Sequence, residues 1–548
     1  MNGAVMLILG IVLFLIAYVL YGGYLTKKWG IDPKRPTPAH TLRDDMDYCP
    51  ADAKVILGHH FSSIAGAGPI TGPIQAIVFG WLPVLLWVII GSIFIGGVHD
   101  YGSIFSSLRH DGKSIGEVIK QNVGVKAEKL FTLFSWLALI LVVAAFTDIC
   151  AGTFAFNPAA PENLTGAQAG TASVMFIGLA VLFGFFVYRK RANLAIATLV
   201  GVALLFLCIY VGYTFPILKL SKMAWNVIIL VYIIVASVLP VWILLQPRDY
   251  LCSFLLYALV GGAILGIFLA RPALQMPAFN GFVIGEGAGA QFLFPILFIT
   301  VACGAISGFH SLVGSGTTSK QVNNEKDAQL IGYGAMLIEG IVAIIAIISV
   351  AYLAAPGEGT PAQLFGAGVG HMMESFGLPR RIGAVFVVLS FSAFALTSLD
   401  TATRIARYMF QELAGKGVSE DQPAWQKTLQ KPIVATLITV GCAIALLAYG
   451  YQNIWPIFGA SNQLLAGMAL LGLTAWFART KRGVYNTLIP MIFMFIVTLT
   501  ALVMLAKKFL SIGNFLMGGM AVLLLCLAVV LIVTTVNAFR GEKSVVKK

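Results

Sequence analysis

Charge is what this 548-residue chain lacks: Asp, Glu, Lys and Arg make up 11% of it, against about 25% in ordinary soluble domains. With 59% of the residues hydrophobic, no water-soluble surface can be built. Polar alternation is missing as well, which excludes a membrane β-barrel. Cysteine offers no framework, because seven is an odd count. Six of the seven (Cys150, Cys208, Cys252, Cys303, Cys442 and Cys526) lie in or at the ends of apolar segments, and no CxxC metal motif occurs. Long linkers, low-complexity tracts and soluble domains are absent too. What is abundant fits membrane helices: 57 glycines for close packing and 22 prolines for kinks. The sequence reads as an all-α polytopic membrane protein, whose partner is the lipid bilayer. Its work is then transport, channel activity, a membrane-embedded reaction or signalling.

A net charge of +13 would point to nucleic acid in a soluble protein, but here the 36 Lys and Arg lie almost wholly between apolar runs. No nucleic-acid partner is expected, and the charge reports topology instead. At ~20 apolar residues per crossing, spans start near residues 4, 55, 82, 128, 171, 193, 224, 249, 291, 328, 382, 431, 454, 485 and 513, about fifteen in all. Placing the 25–54 loop in the cytoplasm puts the Lys and Arg excess inside along the whole chain. The N-terminus is then outside and the C-terminus cytoplasmic. The first apolar run lacks a basic leading region and is followed by Lys27 and Lys28, as an uncleaved anchor would be.

The second crossing contains Gly58-His59-His60-Phe61-Ser62-Ser63-Ile64-Ala65-Gly66-Ala67-Gly68-Pro69-Ile70-Thr71-Gly72-Pro73. Gly costs ~1 and Pro ~3 kcal/mol in a helix interior, so the pattern predicts two half-helices joined by unwound backbone near Gly66 to Pro73. Such backbone persists at membrane depth only where protein or a water-filled cavity satisfies it. The seventh crossing carries a milder interruption, Ser237-Val238-Leu239-Pro240-Val241-Trp242, which is either a proline kink or a functional break. Crossings two to six (55–213) and seven to eleven (224–410) form two sets of five starting from opposite sides, the arithmetic of an inverted repeat. Residues 1–54 precede them as one helix and a loop, and 431–548 follow as four peripheral helices and a tail. Half-helices beginning at Pro73 and Pro240 would present free N–H groups to an anion. Those ending near Ala65 and Leu239 would present carbonyls to a cation. The expected substrate-binding residues are Ser62, Ser63, Gly66, Gly68, Pro69, Thr71, Pro240 and Trp242.

Five segments carry a resemblance: GHHFSSIAGAGPITGP (58–73), GGVHDYGSIF (96–105), LPVWILLQPRDYL (239–251), GAISGFHSLVGSGTTSKQ (304–321) and SLDTATRI (398–405). The chain resembles the carbon starvation A family over about residues 35–410. The resemblance implies a LeuT-type secondary transporter with one extra N-terminal and four extra C-terminal helices. It also implies a place in the cell membrane of a prokaryote and uptake of peptides or, in some members, pyruvate. The sequence departs from the family at Asp44-Asp45-Met46-Asp47-Tyr48-Cys49-Pro50-Ala51, where relatives commonly show Asp-Gly-x-Asp-Tyr-x-Pro-Thr. Beyond residue 431 the signature is confined to Trp455–Leu464, and its Gly459–Gln463 segment is placed against the core. By resemblance, Ser307 and Ser311 join carbonyls near Ser63 and Gly66 in a cation site. The coupling ion is Na+ or H+, with no other cofactor.

An ionisable side chain inside a crossing costs at least ~2.5–3.5 kcal/mol, which marks each one as a candidate. Glu339 lies mid-span with no charged sequence neighbour: protonated, paired across helices, or a proton carrier. Asp400 and Arg404, four apart, pair on one helix face or gate. His59, His60, His99 and Asp100 fall towards one membrane face, where they could bind Zn2+, relay a proton or form a hydrogen-bonded inner gate together with Phe61. His310 joins Ser307 and Ser311 among the ion-coupling candidates, with Glu339 and Asp400.

An enzymatic reading fails on spacing. A DDxxD diphosphate motif would need an acid at Tyr48, and the histidines do not form haem pairs at both faces. A channel, since unwound glycine-rich backbone also builds selectivity filters, and a receptor without flux are the remaining alternatives. The sequence is best read as a secondary importer of small carboxylate-bearing nutrients working by alternating access, with short peptides first and pyruvate as the alternative.

Overall fold

The computed structural model describes residues 2–44, 47–190, 192–240, 243–286, 290–355, 357–415 and 423–545. Apolar runs of this length can satisfy their backbone in lipid only as helix, and helix is what they form. In chain order, α1 (Gly3–Trp29) precedes an interrupted pair, α2 (Ala53–Ile64) and α3 (Gly68–Ala76). Then come α4 (Trp81–Leu108), α5 (Val125–Phe154), α6 (Thr165–Val187), α7 (Leu194–Thr214), α8 (Lys222–Val238) and α9 (Leu245–Ala270). A second interrupted pair, α10 (Leu293–Thr300) and α11 (Gly308–Gly316), leads to α12 (Gln329–Ala351) and α13 (Pro361–Met373). The chain continues with α14 (Arg380–Leu413), α15 (Pro432–Leu447), α16 (Tyr451–Arg479), α17 (Tyr485–Ser511) and α18 (Phe515–Ala538).

Among the described residues, 11 helices are long and apolar enough to cross a membrane, while α8 and α15 are shorter apolar helices. The expected count of about fifteen included those two and the two interrupted pairs. Local chemistry sets several starts: Asn193 caps α7, Ser221 caps α8, and Thr360 with Gln363 forms a capping box on α13.

Depth of burial separates scaffold from periphery. The central window of α16 is 94% buried and that of α7 only 17%. Long α5 and α14 pack on each other, and both interrupted pairs lie against α12 or α16. Of the four C-terminal helices expected at the periphery, α16 therefore belongs to the core.

A second correction concerns the Pro240 interruption. It lies between α8 and α9 rather than within a crossing, and Pro240 is exposed. Leu239 is extended (ψ 149), as the residue before a proline must be, so the helix stops. Val241 and Trp242 fall outside the described residues. The second interruption inside a crossing lies instead at residues 301–307, which contain no proline.

Candidate functional site

The two interruptions face each other. A Cβ added at Gly68 would lie 2.6 Å from Cys303 Cβ and closer still to its Sγ, and one at Gly66 would lie 3.0 Å from Ser398 Cβ. Glycine is needed at both positions because unwound backbone from two helices and a side chain of α14 meet there. The Ser63 carbonyl, orphaned where α2 ends, accepts from Ser398 Oγ at 3.4 Å. Ser62 and Ser63 turn their own hydroxyls back to the His59 carbonyl at 3.0 and 2.9 Å. Pro69 stands in the first turn of α3, where its missing N–H costs nothing. Pro73 lies inside α3, so the half-helix N-terminus is at Gly68 rather than after Pro73. Thr71 is fully buried, and its Oγ1 has no hydrogen-bond partner.

The second interruption is held from α16. Gln463 Nε2 donates to the Phe298 carbonyl at 2.6 Å, completing the end of α10. Asn462 Oδ1 accepts from the Phe309 N–H at 3.0 Å, capping α11, while its Nδ2 donates to Ser307 Oγ at 3.0 Å. Ser92 Oγ donates to the Gly304 carbonyl at 3.1 Å and Trp87 Nε1 to that of Val301 at 3.3 Å. The peptide groups released by unwinding are thus bound by side chains from α4 and α16, the condition for irregular backbone at depth. Ser307 Oγ is engaged by Asn462 of α16, and Ser311 Oγ donates locally to the Gly308 carbonyl at 2.7 Å. The hydroxyl that reaches the α2 carbonyls belongs to Ser398, which sequence reasoning passed over.

Unwinding before Gly308 places His310 in the first turn of α11, and there four titratable groups from three crossings join. Asp100 on α4 accepts from two imidazoles: His99 Nδ1 at 2.7 Å and His310 Nδ1 at 2.8 Å. On its far side, His310 Nε2 lies 3.4 Å from Glu339 Oε2 on α12. All four side chains are buried, and neither Glu339 oxygen has a hydrogen-bond partner. An ionised carboxylate only accepts, so Asp100 fixes the protons of both imidazoles on Nδ1. The proton that can move lies between His310 Nε2 and Glu339: on the carboxyl it leaves a neutral pair, on the imidazole an ion pair. A low local dielectric makes that choice strongly dependent on the surroundings.

The grouping differs from the expected one. His99 and Asp100 join His310 and Glu339, whereas His60 Nδ1 bonds Thr318 Oγ1 at 2.9 Å and His59 is half-buried midway along α2. His59, His60, His99 and Asp100 do not assemble as a metal site among the described residues. Phe61 is buried in the apolar core.

Asp400 and Arg404 do not pair with each other in the way their spacing implied. Asp400 is bound by Arg248 of α9 and, at 2.7 Å, by Tyr232 Oη of α8. Arg404 Nη2 instead donates to the Ala236 and Leu239 carbonyls, both at 2.7 Å, closing the C-terminus of α8. A guanidinium there also complements the helix dipole. Breaking a buried pair such as Arg248–Asp400 costs about 3–5 kcal/mol, since one charge is left uncompensated, so the pair pins α9 to α14 beside the first interruption. Arg248 could have been suspected only from LPVWILLQPRDYL, Tyr232 lies outside all five family segments, and no spacing rule links either to Asp400.

Two packed interrupted helices at the centre of a helical bundle, with a buried chain of titratable groups alongside, define a membrane transporter of LeuT-type fold. The backbone agrees: it is similar to the Eremococcus coleocola manganese transporter, with a TM-score of 0.51 at 9% identity over 91% of this chain and 99% of that one, a likeness of fold alone. The chain belongs to the carbon starvation protein CstA family, whose pattern matches residues 2–358 and 354–501. It is 34% identical to the peptide transporter CstA of Escherichia coli over 91% of this chain and 80% of that protein. To the Bacillus subtilis peptide transporter CstA it is 33% identical over 90% and 89%, and to the E. coli pyruvate/proton symporter BtsT 32% over 89% and 80%. The chain is a multi-span membrane transporter and not an enzyme.

Proposed function

We propose that this protein is a secondary active importer of small carboxylate-bearing nutrients, short peptides first, driven by protons through alternating access. The observation that carries the coupling is the buried chain His99–Asp100–His310–Glu339, whose Glu339 carboxylate no hydrogen bond occupies. It joins α4, α11 and α12, and α11 begins where the second interruption ends. A proton on Glu339 removes one charge from this low-dielectric contact, which changes how firmly α11 is held and so biases the position of the broken helices. Pyruvate is the second reading, favoured by the similarity to a relative named a pyruvate/proton symporter.

The substrate's carboxylate is assigned to the N-terminus of α3 at Gly68, facing Cys303. Ser398 with the Ser63 carbonyl stands where a sodium ion would compete as coupling ion. The N-terminus is assigned to the outside and the C-terminus to the cytoplasm, an orientation supported by the Lys and Arg distribution. The inverted repeats are re-drawn: α2–α5 with α8 and α9 form one, and α10–α12 with α14–α16 the other, the α6–α7 hairpin being inserted in the first. Packing supports this division, because α5 lies on α14, α8 on α15, α9 on α2, and α16 on α11.

In proteoliposomes, labelled dipeptide or pyruvate is expected to accumulate under an imposed inward pH gradient, with competition by the unlabelled solute. Accumulation under a sodium gradient alone, at uniform pH, would refute proton coupling.

A further inference from the structure

Away from the central site, on the face assigned above as outer, lies a cavity of about 40 Å3. At ~10–15 Å3 of such space per water it has room for about three waters, the size of a carboxylate group. Lys222, the first residue of α8, Thr360 and Pro361 at the start of α13, and Tyr451, the first residue of α16, all border it. Three helix N-termini, each on a helix of 13 residues or more, therefore converge with an ammonium group on one space; Ser221, Thr360 and Asp148 each already accept one N–H there, and the dipole ends favour an anion.

One acid is already present among the lining residues. Asp148 of α5 is buried, accepts from the Tyr451 N–H at 2.9 Å and pairs with Lys222 Nζ at 2.9 Å. Lys222 is 45% exposed and carries three donors, so Asp148 fixes its position without exhausting it. Thr71 of α3, fully buried, also lines the cavity with an Oγ1 that bonds nothing. An unpaired hydroxyl in the same lining as the ammonium supplies a second contact for an oxyanion.

We propose that this cavity is an outer antechamber that captures the carboxylate of the incoming substrate, with Lys222 as receptor and Thr71 handing it on to the interruption at Gly68. The inference rests on the carboxylate-importer reading and on its assignment of the outer face. It adds a binding step ahead of the central site, and a substrate without a free carboxylate bypasses that step.

Gly152 offers a reporter position, because a Cβ there would meet only Lys222 Cε, at an ordinary 3.8 Å. In the full-length protein in vesicles, with the exposed Cys49, Cys442 and Cys526 replaced by Ser, the Gly152→Cys variant is treated with a thiol reagent. Labelling is measured with pyruvate, a free dipeptide or a C-terminally amidated dipeptide present, and uptake of labelled pyruvate and dipeptide is measured in the same vesicles. Pyruvate and the free dipeptide are expected to protect the introduced thiol and the amide not to. Lys222→Gln is expected to raise the protecting concentration about tenfold, equivalent to about 1.4 kcal/mol. Uptake without protection, protection by the amide equal to that by the acid, or protection indifferent to Lys222→Gln each overturns the antechamber and leaves the importer standing. Lys222-dependent protection without uptake sustains the antechamber and overturns the importer. Neither protection nor uptake overturns both.

Discussion

Glu339→Gln is expected to abolish accumulation driven by a pH gradient while leaving exchange of external for preloaded substrate running. A gradient of about two pH units is worth about 2.7 kcal/mol, so a one-proton symporter concentrates its substrate about 100-fold. Without an exchangeable proton that ratio falls to one. Glutamine keeps the volume and the buried position of Glu339 but cannot pass a proton to His310 Nε2, 3.4 Å away. It mimics the protonated carboxyl, so the broken helices still exchange between faces once substrate is bound. Retention of full pH-driven accumulation by this variant, measured beside counterflow in the same vesicles, would remove Glu339 from the coupling path. Asp100→Asn is expected to act less cleanly, because it frees two imidazoles at once.

Gly68→Val is expected to eliminate both accumulation and counterflow without preventing membrane insertion. A branched side chain at this position runs into Cys303 Cβ and Sγ. Overpacking of that kind typically costs about 1–3 kcal/mol, which a bundle of this size can absorb by parting the two interruptions. Parting them displaces the Gly68 N-terminus from the Cys303 backbone, which is the proposed substrate contact. A compensating pair separates this from a general folding defect. With Gly68→Ala, the added Cβ still meets Cys303; Cys303→Gly removes both offending atoms and leaves Cys303 Cα 3.8 Å from the new methyl, so the double variant is expected to recover transport that Gly68→Ala loses. No recovery, or near-normal uptake by Gly68→Val, would contradict the central placement of this contact.

The first interruption was legible because its chemistry is local: four glycines and two prolines within sixteen residues weaken the helix enough to break it between Ile64 and Gly68. The second was not, because Val301 to Ser307 holds a single glycine and no proline. Its unwinding is imposed from outside by Gln463, Asn462, Trp87 and Ser92. Pro240, the louder signal, drew attention to a place where one helix simply ends. The sequence reading also left α16 at the periphery, although Trp455–Leu464 already carried the family's pattern there and the helix is buried. Charged residues followed the same logic. Each of Glu339, Asp100, His310 and Asp400 stood out as costly in an apolar run, but their partners lie on other crossings: His310 with Glu339, Asp400 with Arg248. Spacing along one helix favoured Asp400 with Arg404, and only packing assigns Arg404 to the carbonyls that end α8. Burial cost identifies which residues matter, and tertiary contact decides what they do.

The most direct measurement of the central claim uses proteoliposomes containing a trapped pH dye, with no gradient imposed and sodium absent. Pyruvate or a dipeptide is added outside, and the internal pH is followed with the wild-type protein and with Glu339→Gln. The expected result is saturable internal acidification with wild type that Glu339→Gln lacks. Uptake of labelled substrate without any change in internal pH, or acidification undiminished by Glu339→Gln, would contradict a proton-coupled carrier built on this buried chain.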